Sequence, residues 1–201
     1  MDVDFYFGPG SRYSYLAATQ LPRLAAETGA VFRWRCAISA DLVAPGEADP
    51  FADANRRGQY ASDYRLRDVE RWARHYRVPF FDVGDSLDAW RRRALACVAA
   101  ERLNRGAEMG AAMLIACHGQ GEPPRTDADY ARLANVAGLN PDLLLSALAA
   151  PDTSAAYTAN VARARAAGAF GVPTFVTADG ALFFGQDRLP LLRDHLAASR
   201  A

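Results

Sequence analysis

The sequence predicts an α/β fold in which the two ends of the chain build one mixed sheet and a large all-helical insertion lies between them. Three observations lead there. Residues 3–7 (Val-Asp-Phe-Tyr-Phe) form a short apolar and aromatic run stopped by Gly8-Pro9-Gly10, the signature of a buried strand. From Ser62 the apolar residues recur at helical spacing for about a hundred residues. After Gly168 the period returns to two: residues 172–176 and 182–184 flank Asp179-Gly180, a tight hairpin turn. The order is β-α-β, a helical block, then β-β-α. Neither end closes a sheet alone, whereas both together give four strands with helices on the faces. That is a thioredoxin-like fold with a large all-helical insertion. Residues 1–40 and 170–201 are expected to form the discontinuous thioredoxin-like domain, and 41–169 a loop followed by the helical domain.

Each element has a local reason. Leu16, Leu21, Leu24 and Ala25, closed by Gly29, describe an amphipathic helix after the first strand, and Pro22 inside it is expected to bend it. Residues 30–38 alternate and are rich in β-formers, so a right-handed crossover brings them parallel to the first strand. Residues 42–57, with Pro45-Gly46 and Asp49-Pro50, read as a long binding loop closed by Asn55-Arg56-Arg57, where the two arginines alone would read as a solvated turn. Leu66, Val69, Ala73 and Tyr76 form the stripe of the first inserted helix, stopped at Val78-Pro79. The next helix spans 86–104, and its Arg91-Arg92-Arg93 reads as a charged face. Helices over 107–117, from Asp127, over 141–148 with Asn140 as cap, and from Asp152 to 167 follow. Asp187 is placed to cap a final helix over 188–199, with Pro190 in its first turn. Val172-Pro173 is a candidate cis bond.

Composition narrows the function. The chain has 201 residues with formal net charge +0, which argues against nucleic acid or an anionic membrane as partner. No run approaches the roughly 20 apolar residues of a membrane span, and the opening strand leaves no room for a leader, so a cytoplasmic protein is expected. All 23 basic residues are arginine, so any cationic role falls to Arg. Cys36, Cys97 and Cys117 are widely spaced and form no Cys-x-x-Cys, which signals neither a dithiol site nor a zinc site. Cys117-His118 cannot hold a metal alone, and His75 and His195 fall on helices as solvated or core residues; no metal is assigned.

Ser11 is the residue the pattern singles out. It stands where the first strand ends and the first helix begins, where unpaired N–H groups and the helix dipole favour an anion. Ser is also a favoured N-cap, and capping is the plain reading of its position. The flanks lack the Gly-x-Ser-x-Gly elbow of a hydrolase nucleophile, so its chemical task would be donation to an anion such as a ligand thiolate.

Residues 4–7 through Ser11 and then Tyr13-Ser14-Tyr15-Leu16-Ala17 resemble the opening of 2-hydroxychromene-2-carboxylate isomerases, glutathione-dependent DsbA-like proteins close to the kappa-class glutathione transferases. The resemblance recurs at Asn55-Arg56, at Tyr64 with Asp68-Val69-Glu70-Arg71-Trp72-Ala73, at Phe170-Gly171-Val172-Pro173-Thr174 and at Phe184-Gly185-Gln186-Asp187-Arg188-Leu189, and so spans the whole chain. It implies glutathione as cofactor, a small aromatic acid as substrate, and a homodimer. It also implies that Ser11 polarises the glutathione thiol and that the Val172 backbone pairs with the tripeptide. Gln186 and Asp187 would hold the γ-glutamyl end with Phe184 and Gly185 beside it, and Asn55 and Arg56 would meet the substrate. The implied activity is isomerisation by reversible thiol addition. The alternatives are a kappa-class-like glutathione transferase or peroxidase on the same site, and a non-catalytic thiol- or peptide-binding protein of this fold. A dithiol oxidoreductase is disfavoured, because Ser11 and Ser14 stand where two cysteines would be needed. The chain departs from the family where Gly8-Pro9-Gly10-Ser11-Arg12 replaces the usual Asp-Phe-x-Ser-Pro, which is expected to place a cation beside the reactive sulfur. It departs again at Ala61, and in the loop near Ala44, where family lysines are absent.

Overall fold

The computed structural model describes residues 1–43, 58 and 61–198. Its elements run β1 (Asp2–Phe7), α1 (Arg12–Thr28), β2 (Val31–Cys36), α2 (Ser39–Leu42), α3 (Ser62–Tyr76), α4 (Leu87–Arg102), α5 (Gly106–Leu114), a π turn (Ile115–Gly119), α6 (Asp127–Val136), α7 (Pro141–Ala149), α8 (Pro151–Ala166), β3 (Thr174–Thr177), β4 (Leu182–Phe184), a 3-10 turn (Gln186–Arg188) and α9 (Leu189–Ala198). The sheet has the order β2-β1-β3-β4. β1 pairs parallel with β2, with Phe5 opposite Trp34, and antiparallel with β3, with Phe5 opposite Phe175. The fold class is therefore the one the period change predicts, and the two chain ends meet in one sheet.

Period-2 alternation along β1 sorts its side chains to different sides. Val3, Phe5 and Phe7 belong to the main core with residues of α1, α4, α5 and α9, whereas Tyr6 joins a smaller cluster with Ala37, Leu42, Val161, Ala164 and Val172. Phe5 stacks on Phe175 at 5.0 Å between centroids and meets Trp34 edge-on at 4.9 Å, geometries that aromatic quadrupoles favour. Arg35 ties β2 to Asp4 on β1 and to Glu101 on α4, and Asn160 of α8 donates to the other oxygen of Glu101.

Several boundaries shift from their expected places for identifiable reasons. β3 starts at Thr174 and not at 172, because Pro173 has no N–H for the ladder; the Val172–Pro173 bond is cis, as expected. α1 runs unbroken through Pro22. α5 gives way at Ile115 to the π turn. The last helix begins as the 3-10 turn, which places Asp187 inside that turn and not at an N-cap. The charged face expected at 91–93 is corrected at one position: Arg91 and Arg92 are exposed, but Arg93 is only 1% exposed. Arg93 donates to Asp85 at 2.7 Å and to the Pro124 carbonyl at 3.1 Å, and lies 4.4 Å over the Trp90 ring. Asn55 and Arg56 lie outside the described residues.

α2 is short and is held from outside. Asp41 accepts from Tyr157 at 2.6 Å and from Arg91 at 2.7 Å, while Arg165 donates to the carbonyls of Asp41 and Val43 at 2.7 Å each. Burial alone would raise the Asp41 pKa, but the hydrogen bonds from Arg91 and Tyr157 and the charges of Arg91 and Arg165 outweigh it and hold the pKa below its usual value.

Two predictions test this frame. A Cβ at Gly110 would lie 2.6 Å from Trp34 Cε3 and 2.8 Å from Phe7 Cζ. Gly110→Ala should therefore cost about 1–3 kcal/mol by overpacking, despite alanine's better helix propensity, read as a fall in Tm. Because the Asp41 pKa is depressed in the folded state, its contribution is present above the unfolded value of about 3.9 and disappears as pH falls through the folded value. Asp41→Asn should thus cost about 1.5 kcal/mol in urea titrations at pH 7 and progressively less on acidification.

Candidate functional site

The strand ends, the start of α1 and one face of α3 enclose a cleft of about 700 Å³. Ser11, Val172, Phe184, Gly185, Gln186 and Asp187, all read from the sequence as site residues, line it together. Ser11 is the N-cap of α1, with extended backbone (φ −93°, ψ 110°), and its Oγ accepts from the Ser14 N–H at 3.1 Å. The capping reading is correct as far as it goes. The same oxygen also donates its proton to the Val172 carbonyl at 3.3 Å. That contact is longer than the usual O–H···O distance of about 2.7–2.8 Å, so a better acceptor in the cleft can take the proton at small cost. Ser14 is fully buried and accepts from the Gly8 N–H at 3.3 Å, which makes it a support for the turn.

The far wall is built by the turn after β4. Gly185 has φ +106°, a region that L side chains rarely adopt, and a Cβ there would lie 2.4 Å from Asp187 Oδ1. Glycine is thus required for the chain to fold the Asp187 carboxylate back beside the cleft. Asp187 pairs with Arg188 at 3.0 Å. Gln186 is 2% exposed, and its Oε1 accepts from Tyr76 at 2.7 Å, which leaves the amide N–H₂ as the donating end. Burial and then the Asp187 charge push the Tyr76 pKa up to about 12, so its hydroxyl stays a donor.

The structure adds residues that the sequence reading did not place in the site. Tyr13 and Asp68 face the cleft and bond to each other at 3.0 Å, burial and the Asp68 charge raising the phenol pKa. Tyr64, Arg65, Trp72 and Trp90 also line it. The signal was present on α3: positions 64, 68 and 72 recur every four residues, one step before the apolar stripe at 69, 73 and 76. The cation expected beside the sulfur is corrected: Arg12 turns to Asp82, with Nε at 2.8 Å and Nη2 at 3.1 Å, and is not among the cleft residues. Cys36, Cys97 and Cys117 are all buried elsewhere. Among the described residues no cluster of His, Cys, Asp or Glu could hold a metal ion, and no helix is long and apolar enough to cross a membrane.

The DSBA-like thioredoxin domain family matches residues 2–197. The 2-hydroxychromene-2-carboxylate isomerase of Sphingobium xenophagum is 32% identical over 200 residues, covering 96% of this chain and 97% of that protein. The chain belongs to this isomerase family. The enzyme of the same name from Pseudomonas putida is 29% identical over 203 residues, covering 96% of this chain and 92% of that one. A solved structure of a 2-hydroxychromene-2-carboxylate isomerase superposes with a TM-score of 0.81 at 25% identity, covering 98% of this chain and 95% of the other. At the Gly8–Ser11 turn of this chain, a Cβ at Gly10 would lie 2.8 Å from Trp90 Cδ2, so the indole occupies the space that a side chain there would need.

Proposed function

We propose that the protein is a glutathione-dependent isomerase of an aromatic-derived carboxylic acid, working by reversible thiol addition; the names of its relatives support the isomerase part of this reading. The observation that carries this reading is the position of Ser11. It places a hydroxyl donor and a helix N-terminus on a cleft whose described lining contains no cysteine, so the sulfur would arrive with the ligand. The cleft residues fit glutathione in chemistry. Asp187 offers an oxygen to an ammonium, Gln186 an amide donor, Arg65 and Arg188 supply cations for carboxylates, and Val172 supplies backbone. A volume of about 700 Å³ is in the range of small-molecule sites.

When bound, glutathione supplies a thiol whose reversible addition converts a conjugated double bond into a rotatable single bond. The chain's own part is to favour the thiolate and to hold both reactants. Ser11 transfers its hydroxyl proton's hydrogen bond from the Val172 carbonyl to the sulfur, and the first-turn amides of α1 add positive potential. Trp72 and Tyr64, which line the cleft, would offer apolar faces to the substrate's aromatic ring. The substrate contacts expected of Asn55 and Arg56 belong to the same proposal, as do the homodimer and the cytoplasmic location.

Ser11→Ala removes a hydrogen bond to a charged group, worth about 1.5–3 kcal/mol, so turnover with glutathione should fall roughly 10- to 150-fold. Loss of a cap costs about 1 kcal/mol, a Tm shift of only about 2–4 °C. A large Tm loss with intact turnover returns Ser11 to capping alone. Product analysis accompanies it: glutathione recovered unchanged supports isomerisation, while a stable conjugate or glutathione disulfide supports the transferase or peroxidase reading. Asp187→Asn should weaken glutathione binding about 10-fold or more by calorimetry. Stability should change by less than about 1 kcal/mol, because the Arg188 pair it breaks is half-exposed. Unaltered affinity in that folded variant excludes Asp187 from the γ-glutamyl subsite.

A further inference from the structure

His118 lies in the π turn, is 0% exposed, and is not among the cleft residues. Its Nε2 is 2.9 Å from the carbonyl oxygen of Pro9, within the turn that presents Ser11. A carbonyl only accepts, so this contact requires the proton on Nε2. The Nδ1 is 3.4 Å from the Phe81 carbonyl, too long for a strong bond, and the Phe81 N–H instead donates to the His118 carbonyl at 2.8 Å. The imidazole lies nearly parallel to Trp90, at 6.3 Å and 16°, and to Phe80, at 6.4 Å and 13°. Burial lowers its pKa and keeps it in the neutral form that has one N–H to give. The Gly8–Ser11 turn itself is closed by the Ser11 N–H donating to the Gly8 carbonyl at 3.0 Å. The Pro9 carbonyl contacts the imidazole and Gly10 packs against the Trp90 ring, two contacts that oppose rotation of the turn presenting Ser11.

We propose that His118 is a positioning residue: by donating from Nε2 to the Pro9 carbonyl it sets the Gly8–Ser11 turn, and so aims the Ser11 hydroxyl at the ligand's sulfur. The sulfur half of this statement rests on the glutathione reading above; the turn half does not. Losing the donor leaves a carbonyl in a buried place without its partner, which favours a rotated turn.

The test uses the full chain with His118→Leu, which fills volume without a donor, and His118→Gln, which keeps an amide N–H at similar reach. Without any ligand, hydrogen exchange at the Ser11 amide should speed up about 10-fold or more in His118→Leu and return near the wild-type rate in His118→Gln. With glutathione, the thiolate absorbance of the complex should fall about 10-fold in the leucine variant and recover in the glutamine variant. Affinity for S-methylglutathione, which has no thiol to polarise, should change less than twofold in both. In the unaltered protein, ring-nitrogen NMR shifts should report the neutral Nε2–H tautomer, a measurement that stands even where a variant fails to fold. An Nδ1–H tautomer, wild-type exchange at Ser11 in His118→Leu, or equal losses in both variants would overturn the proposal. Wild-type protein that shows no thiolate with glutathione sinks the functional reading, and the exchange and tautomer results then still decide whether His118 sets the turn.

Discussion

The site depends on the two ends of the chain meeting in one sheet, and Ser11 touches both. The Oγ of Ser11 caps α1 through the Ser14 N–H and reaches the carbonyl of Val172, 161 residues further along the chain. It thereby fastens the exit of β1 to the residue that precedes Pro173 and β3, the two ends that the sheet order brings side by side. The cleft exists because these ends meet. The Ser11 corner, the Val172 backbone and the turn after β4 would lie far apart in any arrangement that put β1 and β3 in separate sheets. A cap residue used in this way serves the helix with its lone pair and the Val172 carbonyl with its proton; on the proposed reading that proton would turn to the ligand, so stability and chemistry would make separate demands on one oxygen.

The sequence made the frame legible because the frame depends on local signals. Residues 3–7 and 174–177 are short β-rich runs with turns at their ends, and α3, α7 and α8 begin within a residue of their start signals. Ser11 could be read with those signals, whereas Val172 and Gly185 entered the site only through the resemblance to the isomerase family. The residues that were missed reach the site through tertiary packing. Tyr13 is one residue into a helix whose apolar stripe was read correctly, and only the approach of α3 gives its hydroxyl Asp68 as partner. Asp187 reads as a cap from its position before Arg188-Leu189-Pro190 and as a cleft residue from the resemblance, and only the cap half is displaced. A 3-10 turn inserted by Gly185 moved it inside the element. Arg93 could not have been separated from Arg91 and Arg92 by composition, since burial is decided by Asp85, Pro124 and Trp90 from outside its own triplet.

Arg93 illustrates what the insertion contributes. A guanidinium taken out of water is costly, and its Nη1 finds no protein partner among the described residues. The Asp85 pair, the Pro124 carbonyl and the Trp90 face offset that cost without making the arrangement a strong source of stability. Its consequence is positional. Trp90 carries this cation 4.4 Å over its ring, lies nearly parallel to the imidazole of His118 at 6.3 Å, and occupies the space where a side chain of residue 10 would be. Charge buried deep in the helical layer therefore constrains the shape of the turn at the cleft.

The unusual turn and the helical layer are matched to each other. Glycine at position 10 is required by Trp90, the Pro9 carbonyl is received by His118, and Arg12 is received by Asp82. With its guanidinium bidentate to a carboxylate, Arg12 contributes little net field to the cleft, because a close pair cancels at distance. On the proposed reading, favouring a thiolate at Ser11 falls to the hydroxyl and to the α1 amides, whose dipoles are fixed by the helix and do not need to reorganise when charge appears. Among the described residues the cations that line the cleft are Arg65 on α3, three positions before Asp68, and Arg188 after β4, next to Asp187. That division is what the proposed glutathione reading would need, a ligand with charges at its ends and a sulfur in its middle. A strongly basic patch around Ser11 would draw any anion, whereas fixed dipoles at the centre and opposite charges at the walls select by shape as well as by charge.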